Sequence, residues 1–331
     1  MRVGLLGAGR IGEFHAGVLA KDRRVDDLVI GDLDAELASA LARKLGGESG
    51  TIDEVIDSRL DAVATAAATS AHAELINACL DVDLPIFCEK PVALGYEETL
   101  GIVDRVESSG ATLQVGFMRR FDAGYREAKR LIETGALGTL YSMHMFGHDH
   151  EPPPEEYIPY SGGIFRDLHI HEFDIARWLT GSEAEEVFAQ GSVRGFGMFA
   201  RHGDFDTSAI VVRMANGALV VVTGSRHDPS GYDVRAEIFG SEDSIAVGLD
   251  RRTPLRSVEP DVRPPGGPPY SGFLDRFERA YRDELTHFLD LVDGRAENPC
   301  TARDSLEAVR IAMAAEVSVA ERRPVRLKEI G

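Results

Sequence analysis

The run Gly7-Ala8-Gly9-Arg10-Ile11-Gly12 narrows the possible folds more than any other part of this chain. It follows a short apolar run, Val3–Leu6, and opens a segment, Ile11–Lys21, whose apolar residues recur at helical spacing. A strand that turns directly into a helix needs glycine for its dihedrals and for close backbone approach. The helix N-terminus at such a turn offers unpaired N–H groups and the positive end of the dipole, a fit for a pyrophosphate. Asp32 ends the next strand, 20 residues after Gly12, where its carboxylate can accept hydrogen bonds from ribose hydroxyls. Gly7, Gly9, Arg10, Ile11, Gly12 and Asp32 are thus the expected dinucleotide cradle. Asp34 adds a second negative charge, and Leu33 stands where an arginine would hold a 2′-phosphate, so NAD is expected over NADP.

The rhythm around this turn extends it into a domain. Apolar runs at Val3–Leu6, Leu28–Ile30, Ala62–Ala67, Ile86–Cys88 and Leu113–Phe117 alternate with helical segments at Ile11–Lys21, Ala35–Leu45, His72–Leu80 and Glu97–Val106. Such alternation predicts a parallel sheet covered by helices on both faces. Past Phe121 the pattern changes to a helix at Tyr125–Thr134 and a strand at Leu140–Phe146. Further strands follow at Glu186–Ser192, Ser208–Met214, Leu219–Thr223, Val234–Phe239 and Ser244–Val247, and Asn216-Gly217 marks a hairpin. A loop rich in Pro and Gly, Arg251–Gly272, precedes two closing helices, Phe273–Val292 and Ala302–Glu321. The expected fold is α/β, with a Rossmann domain over 1–120 and an α+β domain over 121–331. The second domain carries a mostly antiparallel sheet with one face open.

A chain of 331 residues has room for two such domains, and its net charge of −19 argues against nucleic acid or an anionic membrane as a partner. Cys79, Cys88 and Cys300 form no close Cys-x-x-Cys pair, which fits a reducing compartment. The chain opens directly on a strand-like run and no apolar segment approaches a membrane span, so a cytoplasmic location is expected.

Two further stretches carry chemistry. Read as one helix at about 100° per residue, Gly162–Leu179 places Ile164, Leu168, Ile175, Trp178 and Leu179 on an apolar arc. His171 falls inside that arc, Asp167 at its edge and His169 to another side. A titratable pair in an apolar face is either a mutually satisfied core pair or an imidazole base held by a carboxylate. Phe87-Cys88-Glu89-Lys90-Pro91 lies at the carboxyl end of a strand of the parallel sheet, where ligands of such sheets collect. Lys90 is either paired with Glu89 at the surface or kept from ionising by a nearby nicotinamide, a state suited to proton traffic. The loop His148-Asp149-His150-Glu151-Pro152-Pro153-Pro154 invites a metal reading, but no metal is expected.

The glycine turn, Glu89-Lys90-Pro91 and the Gly-Gly-x-x-x-Asp-x-x-x-His pattern of Gly162–His171, in this order, resemble the glucose–fructose oxidoreductase / inositol dehydrogenase / MocA superfamily over nearly the full length. The runs Val115–Asp122 and Gly163–Asp167 resemble its inositol 2-dehydrogenase branch. The resemblance implies a catalytic set of Lys90, Asp167 and His171, and cofactor contacts from Ala67, His72, Glu89 and Lys90. It also implies substrate contacts from Met118, Arg119, His150, Asp167, His171 and Tyr232, and a homodimer or homotetramer built through the open sheet. Two departures stand out. Ala66–Ala71 precede His72 where the family commonly carries Ser/Thr-Pro or Asn, and His148–Pro152 replaces a loop that often holds Asn, Arg or Asp. The implied activity is NAD-dependent oxidation of a ring secondary alcohol of a polyol or sugar, myo-inositol to scyllo-inosose first. Another inositol isomer, an aminocyclitol, a pyranose, or glycoside hydrolysis on the same fold are the alternatives. A cofactor-sensing binding protein would have no use for a proton-transfer set.

Overall fold

The computed structural model describes all residues except Pro264, and the chain divides into two compact units. The first contains β1 (Arg2–Leu6), α1 (Arg10–Leu19), β2 (Asp27–Gly31), α2 (Ala35–Leu45), β3 (Glu48–Gly50), α3 (Ile52–Ile56), β4 (Ala62–Thr65), α4 (Thr69–Asp81), β5 (Ile86–Glu89), α5 (Tyr96–Ser109) and β6 (Leu113–Gly116). Its six strands are all parallel and run in the order β3-β2-β1-β4-β5-β6. The strands β4, β5 and β6 are buried at every residue, as expected when helices cover both faces of a sheet. The order reverses between β1 and β4, and the glycine turn leaves the sheet at this switch point. Gly7 has φ +102, and a Cβ there would lie 2.6 Å from the Ala66 carbonyl carbon and the Ala67 nitrogen, so no other residue fits.

The division of the chain differs from the expected cut after residue 120. The first unit comprises Met1–Met118 together with Arg279–Leu306. Leu285, Phe288 and Leu289 from this distal segment belong to the same buried cluster as Val3, Leu5, Ile30 and Phe87, which explains why it folds with the N-terminal sheet. The helical pattern of Phe273–Val292 gave its length and left open which core its apolar side would join.

The second unit, Arg119–Glu278 with Glu307–Gly331, continues with α6 (Ala123–Glu133), β7 (Leu140–His148), α7 (Ile158–Ser161), α8 (Gly163–Asp167), α9 (Ile170–Thr180), β8 (Ala184–Ser192), α10 (Gly197–Arg201), β9 (Thr207–Met214), β10 (Leu219–Ser225), β11 (Asp233–Gly240) and β12 (Ser244–Val247). Helices α11 (Phe273–Val292) and α12 (Ala302–Glu321) each pass from one unit into the other, and β13 (Val325–Arg326) ends the chain's strands. The seven-stranded sheet has the order β12-β11-β7-β10-β9-β8-β13, and every pairing is antiparallel except β7 with β10. The expected hairpin forms at Asn216-Gly217, where Gly217 has φ +90 and Met214 N donates to Ala218 O at 2.9 Å. Burial alternates along β9, so one face is covered and the other open. The described part of the expected loop Arg251–Gly272 has no helix or strand; Pro264 within it lies outside the described residues.

The single helix expected over Gly162–Leu179 is two helices, α8 and α9, separated at Leu168–His169. His169 N bonds to Ile164 O, five residues back, at 3.1 Å. One extra residue in a turn rotates the later residues by about 100° relative to an unbroken helix. That rotation turns His169 and Glu172 inward, against two strand positions that have no side chain. A Cβ on Gly224 would collide with the His169 ring, and one on Gly147 would lie 3.0 Å from Glu172 Oε1. His169, expected to project away, is therefore fully buried, with Nε2 2.7 Å from Ser208 Oγ on β9.

Candidate active site

In the first unit the turn and the acid after β2 form one assembly. Asp32 Oδ2 accepts from Ala8 N at 2.6 Å and Oδ1 accepts from Asp34 N at 2.8 Å. The carboxylate is thereby fixed beside the turn. Helix α1 starts at Gly9 with no side-chain cap, and a Cβ on Gly9 would meet nothing within 4 Å. Uncapped N–H groups facing open space are what a pyrophosphate requires. Arg10 and Ile11 begin the helix, and Gly12 is buried against the Gly7 carbonyl. Asp34 is committed elsewhere, as the N-cap of α2 accepting from Glu36 N and Leu37 N, so it supports the loop and spends its charge on the helix. Leu33 is 93% exposed, leaving the edge beside Asp32 without a cation at that position.

Beyond β4, His72 is buried with Nδ1 2.7 Å from Pro91 O and Nε2 3.1 Å from Ala67 O. Burial lowers its pKa, with the two carbonyls partly offsetting. Each ring nitrogen faces a carbonyl oxygen and the neutral ring donates to one of the two, so His72 sits between the loop at Ala67 and the Glu89-Lys90-Pro91 segment. Glu89 is buried, with Oε1 2.7 Å from His15 Nε2 and Oε2 accepting from Lys90 N at 3.3 Å. Lys90 is half-buried at the end of β5.

In the second unit Asp167 ends α8 and His171 is the second residue of α9. Asp167 Oδ2 accepts from Arg226 Nη1 at 2.9 Å, and Oδ1 accepts from Tyr157 Oη at 3.1 Å. Arg226, 3% exposed and just past β10, also stands 3.5 Å from Asp149 Oδ2. One guanidinium thus serves two carboxylates. Burial, only partly relieved by Arg226, pushes Asp149 up to about 6. Burial and the charge of Asp167 raise the Tyr157 hydroxyl above its ordinary range, keeping it a donor at neutral pH. The loop residue His150 has Nδ1 3.1 Å from Asp228 O.

Helix α9 is held from its other side by two consecutive arginines. Arg119 forms a buried ion pair with Glu172, and Arg120 donates from Nε to Asp174 Oδ2 at 2.9 Å. Burial alone would raise Glu172, but Arg119 and then His169 outweigh it and hold the carboxyl down at about 2. Arg119 is 1% exposed, and through its pairing with Glu172 it anchors α9. Met118 and Tyr232 are buried as well. Sequence inspection missed Arg226, Tyr157 and Glu172 and placed Asp149 only within the loop His148–Pro154; one signal pointed toward Glu172, a pair of arginines ahead of a helix with two acids two residues apart.

A glycine turn with an uncapped helix and an acid fixed beside it, on a six-stranded parallel sheet, defines a dinucleotide-binding unit; the second unit adds a carboxylate-bearing helix pair with a histidine four residues after the carboxylate. Residues 1–117 match the oxidoreductase family with an NAD-binding Rossmann fold, and residues 125–246 match the GFO/IDH/MocA C-terminal domain. The chain belongs to the GFO/IDH/MocA family of oxidoreductases and has its NAD-binding Rossmann domain. It is 36% identical to the myo-inositol 2-dehydrogenase of Thermotoga maritima, covering 100% of this chain and 99% of that one. It is 36% identical to the scyllo-inositol 2-dehydrogenase (NAD(+)) of Bacillus subtilis, covering 99% and 96%. A crystal structure of a myo-inositol dehydrogenase from Corynebacterium glutamicum superposes with a TM-score of 0.90 at 32% identity, covering 99% and 98%. Among the described residues no helix is long and apolar enough to cross a membrane.

Proposed function

We propose that this enzyme is an inositol 2-dehydrogenase, oxidising the secondary alcohol of myo-inositol to scyllo-inosose with NAD. The observation that carries the reading is the full-length similarity to enzymes named for that reaction, joined to an Asp167 carboxylate that Arg226 and Tyr157 fix just ahead of His171. Gly7, Gly9, Arg10, Ile11, Gly12 and Asp32 hold the dinucleotide, with Ala67 and Glu89 beside it and His72 supporting their loop. The bound nicotinamide supplies the hydride acceptor. His171 takes the hydroxyl proton as general base, and Asp167 favours its protonated form. Lys90 donates a hydrogen bond to the alcohol oxygen as alkoxide charge develops. Met118, His150 and Tyr232 bound the polyol and choose among its isomers.

The scyllo isomer is the second reading, because one relative of equal identity is named for it. A panel of inositols and sugars, with NAD and NADP in parallel and NADH absorbance as the readout, tests both. Turnover of myo-inositol with NAD is the expected result. Steady NADH release with neither inositol would overturn the proposal, and product formation without net reduction would point to glycoside hydrolysis.

The same reading takes the protein to be a cytoplasmic homo-oligomer. Phe188, Val211 and Val221 are cross-strand neighbours on the open face of the sheet, and Phe188 and Val211 are exposed. Tyr141 and Leu219 are exposed on the same sheet. Apolar rows of this kind are ordinarily covered by another protein surface. Cys79, Cys88 and Cys300 are all buried thiols. Light scattering on the purified protein distinguishes a dimer or tetramer from a monomer, and a monomer at micromolar concentration would refute assembly through this face.

A further inference from the structure

One buried cluster shares only Glu89 with the oxidoreductase site. His15 on α1, Glu89 at the end of β5 and Glu284 on α11 all lie in the first unit and are respectively 0%, 8% and 0% exposed. One ligand-type atom from each lies within 4.8 Å of the others. His15 Nε2 and Glu89 Oε1 are 2.7 Å apart. Both Glu284 carboxylate oxygens, by contrast, are buried without a hydrogen-bond partner, as is His15 Nδ1. The walls are aromatic: the His15 ring stands 5.4 Å from Phe87 and 6.0 Å from both Phe14 and Tyr281, centroid to centroid. The Glu284 backbone is pinned by Gln114 Nε2, which donates to its carbonyl at 3.0 Å.

A carboxylate buried against aromatic rings with no donor is costly, and native proteins rarely leave one so. A proton shared between the two carboxyls would draw them into a hydrogen bond, and none reaches either carboxylate oxygen of Glu284. Glu284 thus brings an unpartnered carboxylate oxygen to within 4.8 Å of the hydrogen-bonded His15–Glu89 pair, so donors from three separate elements converge on one point. We propose that His15, Glu89 and Glu284 form a site for one divalent first-row cation, of the zinc or manganese class. One imidazole and two carboxylates are a ligand set that such ions accept. The two carboxylates balance a charge of +2 with the imidazole neutral. Glu284, with both oxygens unspent, completes four-coordination by binding through both. Ligand bonds of about 2.0–2.1 Å at near-tetrahedral angles place ligand atoms from different residues, such as His15 Nε2 and Glu89 Oε1, about 3.3 Å apart. Loading therefore exchanges the His15–Glu89 hydrogen bond for two metal–ligand bonds with only a small outward shift. The ion fastens the glycine-turn helix, the strand end before Lys90 and the distal segment to one another. Its role is structural and independent of which polyol the enzyme oxidises.

The test uses the full-length protein, purified without chelator and then incubated with Zn²⁺ or Mn²⁺ before desalting. Elemental analysis should find close to one equivalent per chain, and the thermal midpoint should rise on loading. Glu284→Gln and His15→Asn should each lower affinity for Zn²⁺ at least tenfold in competition with a chromophoric chelator. If the wild-type protein retains no more metal than Glu284→Gln and shows no metal-dependent midpoint shift, the proposal fails. Should both variants fail to fold, the wild type alone decides: stoichiometric uptake that a chelator reverses with a matching fall in midpoint supports the site, and no uptake overturns it.

Discussion

Replacing Glu172 by leucine probes the support of α9 most directly. Arg119 is 1% exposed and Glu172 0%, so the substitution strands a guanidinium in the interior with no carboxylate to meet it. Breaking a buried pair from one side costs roughly 3–5 kcal/mol, because the remaining charge keeps its desolvation penalty and loses its partner. For a domain of this size each kcal/mol moves the thermal midpoint by about 2–4 °C, giving a loss on the order of 6–20 °C. The double variant Arg119→Met/Glu172→Leu removes both charges and should recover most of that loss, since a packed apolar pair often equals or exceeds a buried ion pair. Urea or thermal denaturation of wild type, single and double variants measures all three. Turnover of the single variant should fall as well, because His171 is the residue next to Glu172, while NAD binding is retained. A single variant that loses less than 1 kcal/mol, or a double variant no more stable than the single, would refute the assignment of Arg119–Glu172 as the anchor.

Further expectations concern the remaining groups. The folded-state pKa of Glu172 at about 2 lies below its ordinary 4.5, so the native state binds fewer protons in that interval; its contribution is complete above about 4.5 and is lost as pH falls toward 2, and Glu172→Gln should flatten the acid limb of a stability-versus-pH curve. Asp149 has the opposite sign: raised from 3.8 to about 6, it makes the fold lose stability as pH rises through that window, so Asp149→Asn should raise the thermal midpoint at pH 7–8 relative to wild type and not at pH 4. Exchanging His171 for alanine should lower kcat by roughly 10²–10⁴-fold while NAD binding, followed by nicotinamide fluorescence, persists; retained kcat would remove the general-base role. Asp32→Ala should narrow the preference for NAD over NADP in initial-rate assays, and an unchanged ratio would show that Asp32 does not read the ribose.

Much of the first unit was legible in the residues, because its constraints are local. Gly7 must adopt φ +102 against the Ala66–Ala67 backbone, and strands covered on both faces must be continuously apolar, so short windows of sequence reveal both. Lys90 and Asp32 follow from the same logic, each lying at or just past the carboxyl end of a parallel strand. The helix carrying His171 was legible only in part. An apolar arc drawn on an unbroken helix could not anticipate the extra residue at Leu168–His169, which a register shift of one hydrogen bond creates and which the gaps at Gly147 and Gly224 accommodate.

The sequence alone determined the parallel sheet, the dinucleotide turn, the hairpin at Asn216-Gly217 and the length of the closing helices, each set by a pattern within about twenty residues. Tertiary structure decided the rest: that Arg279–Leu306 folds with the first unit, that Arg226 and Tyr157 rather than a sequence neighbour hold Asp167, and that His15 and Glu284 converge on Glu89. These contacts join residues from ten to hundreds of positions apart. Their identity depends on which charges burial forces together, a quantity that no local spacing encodes.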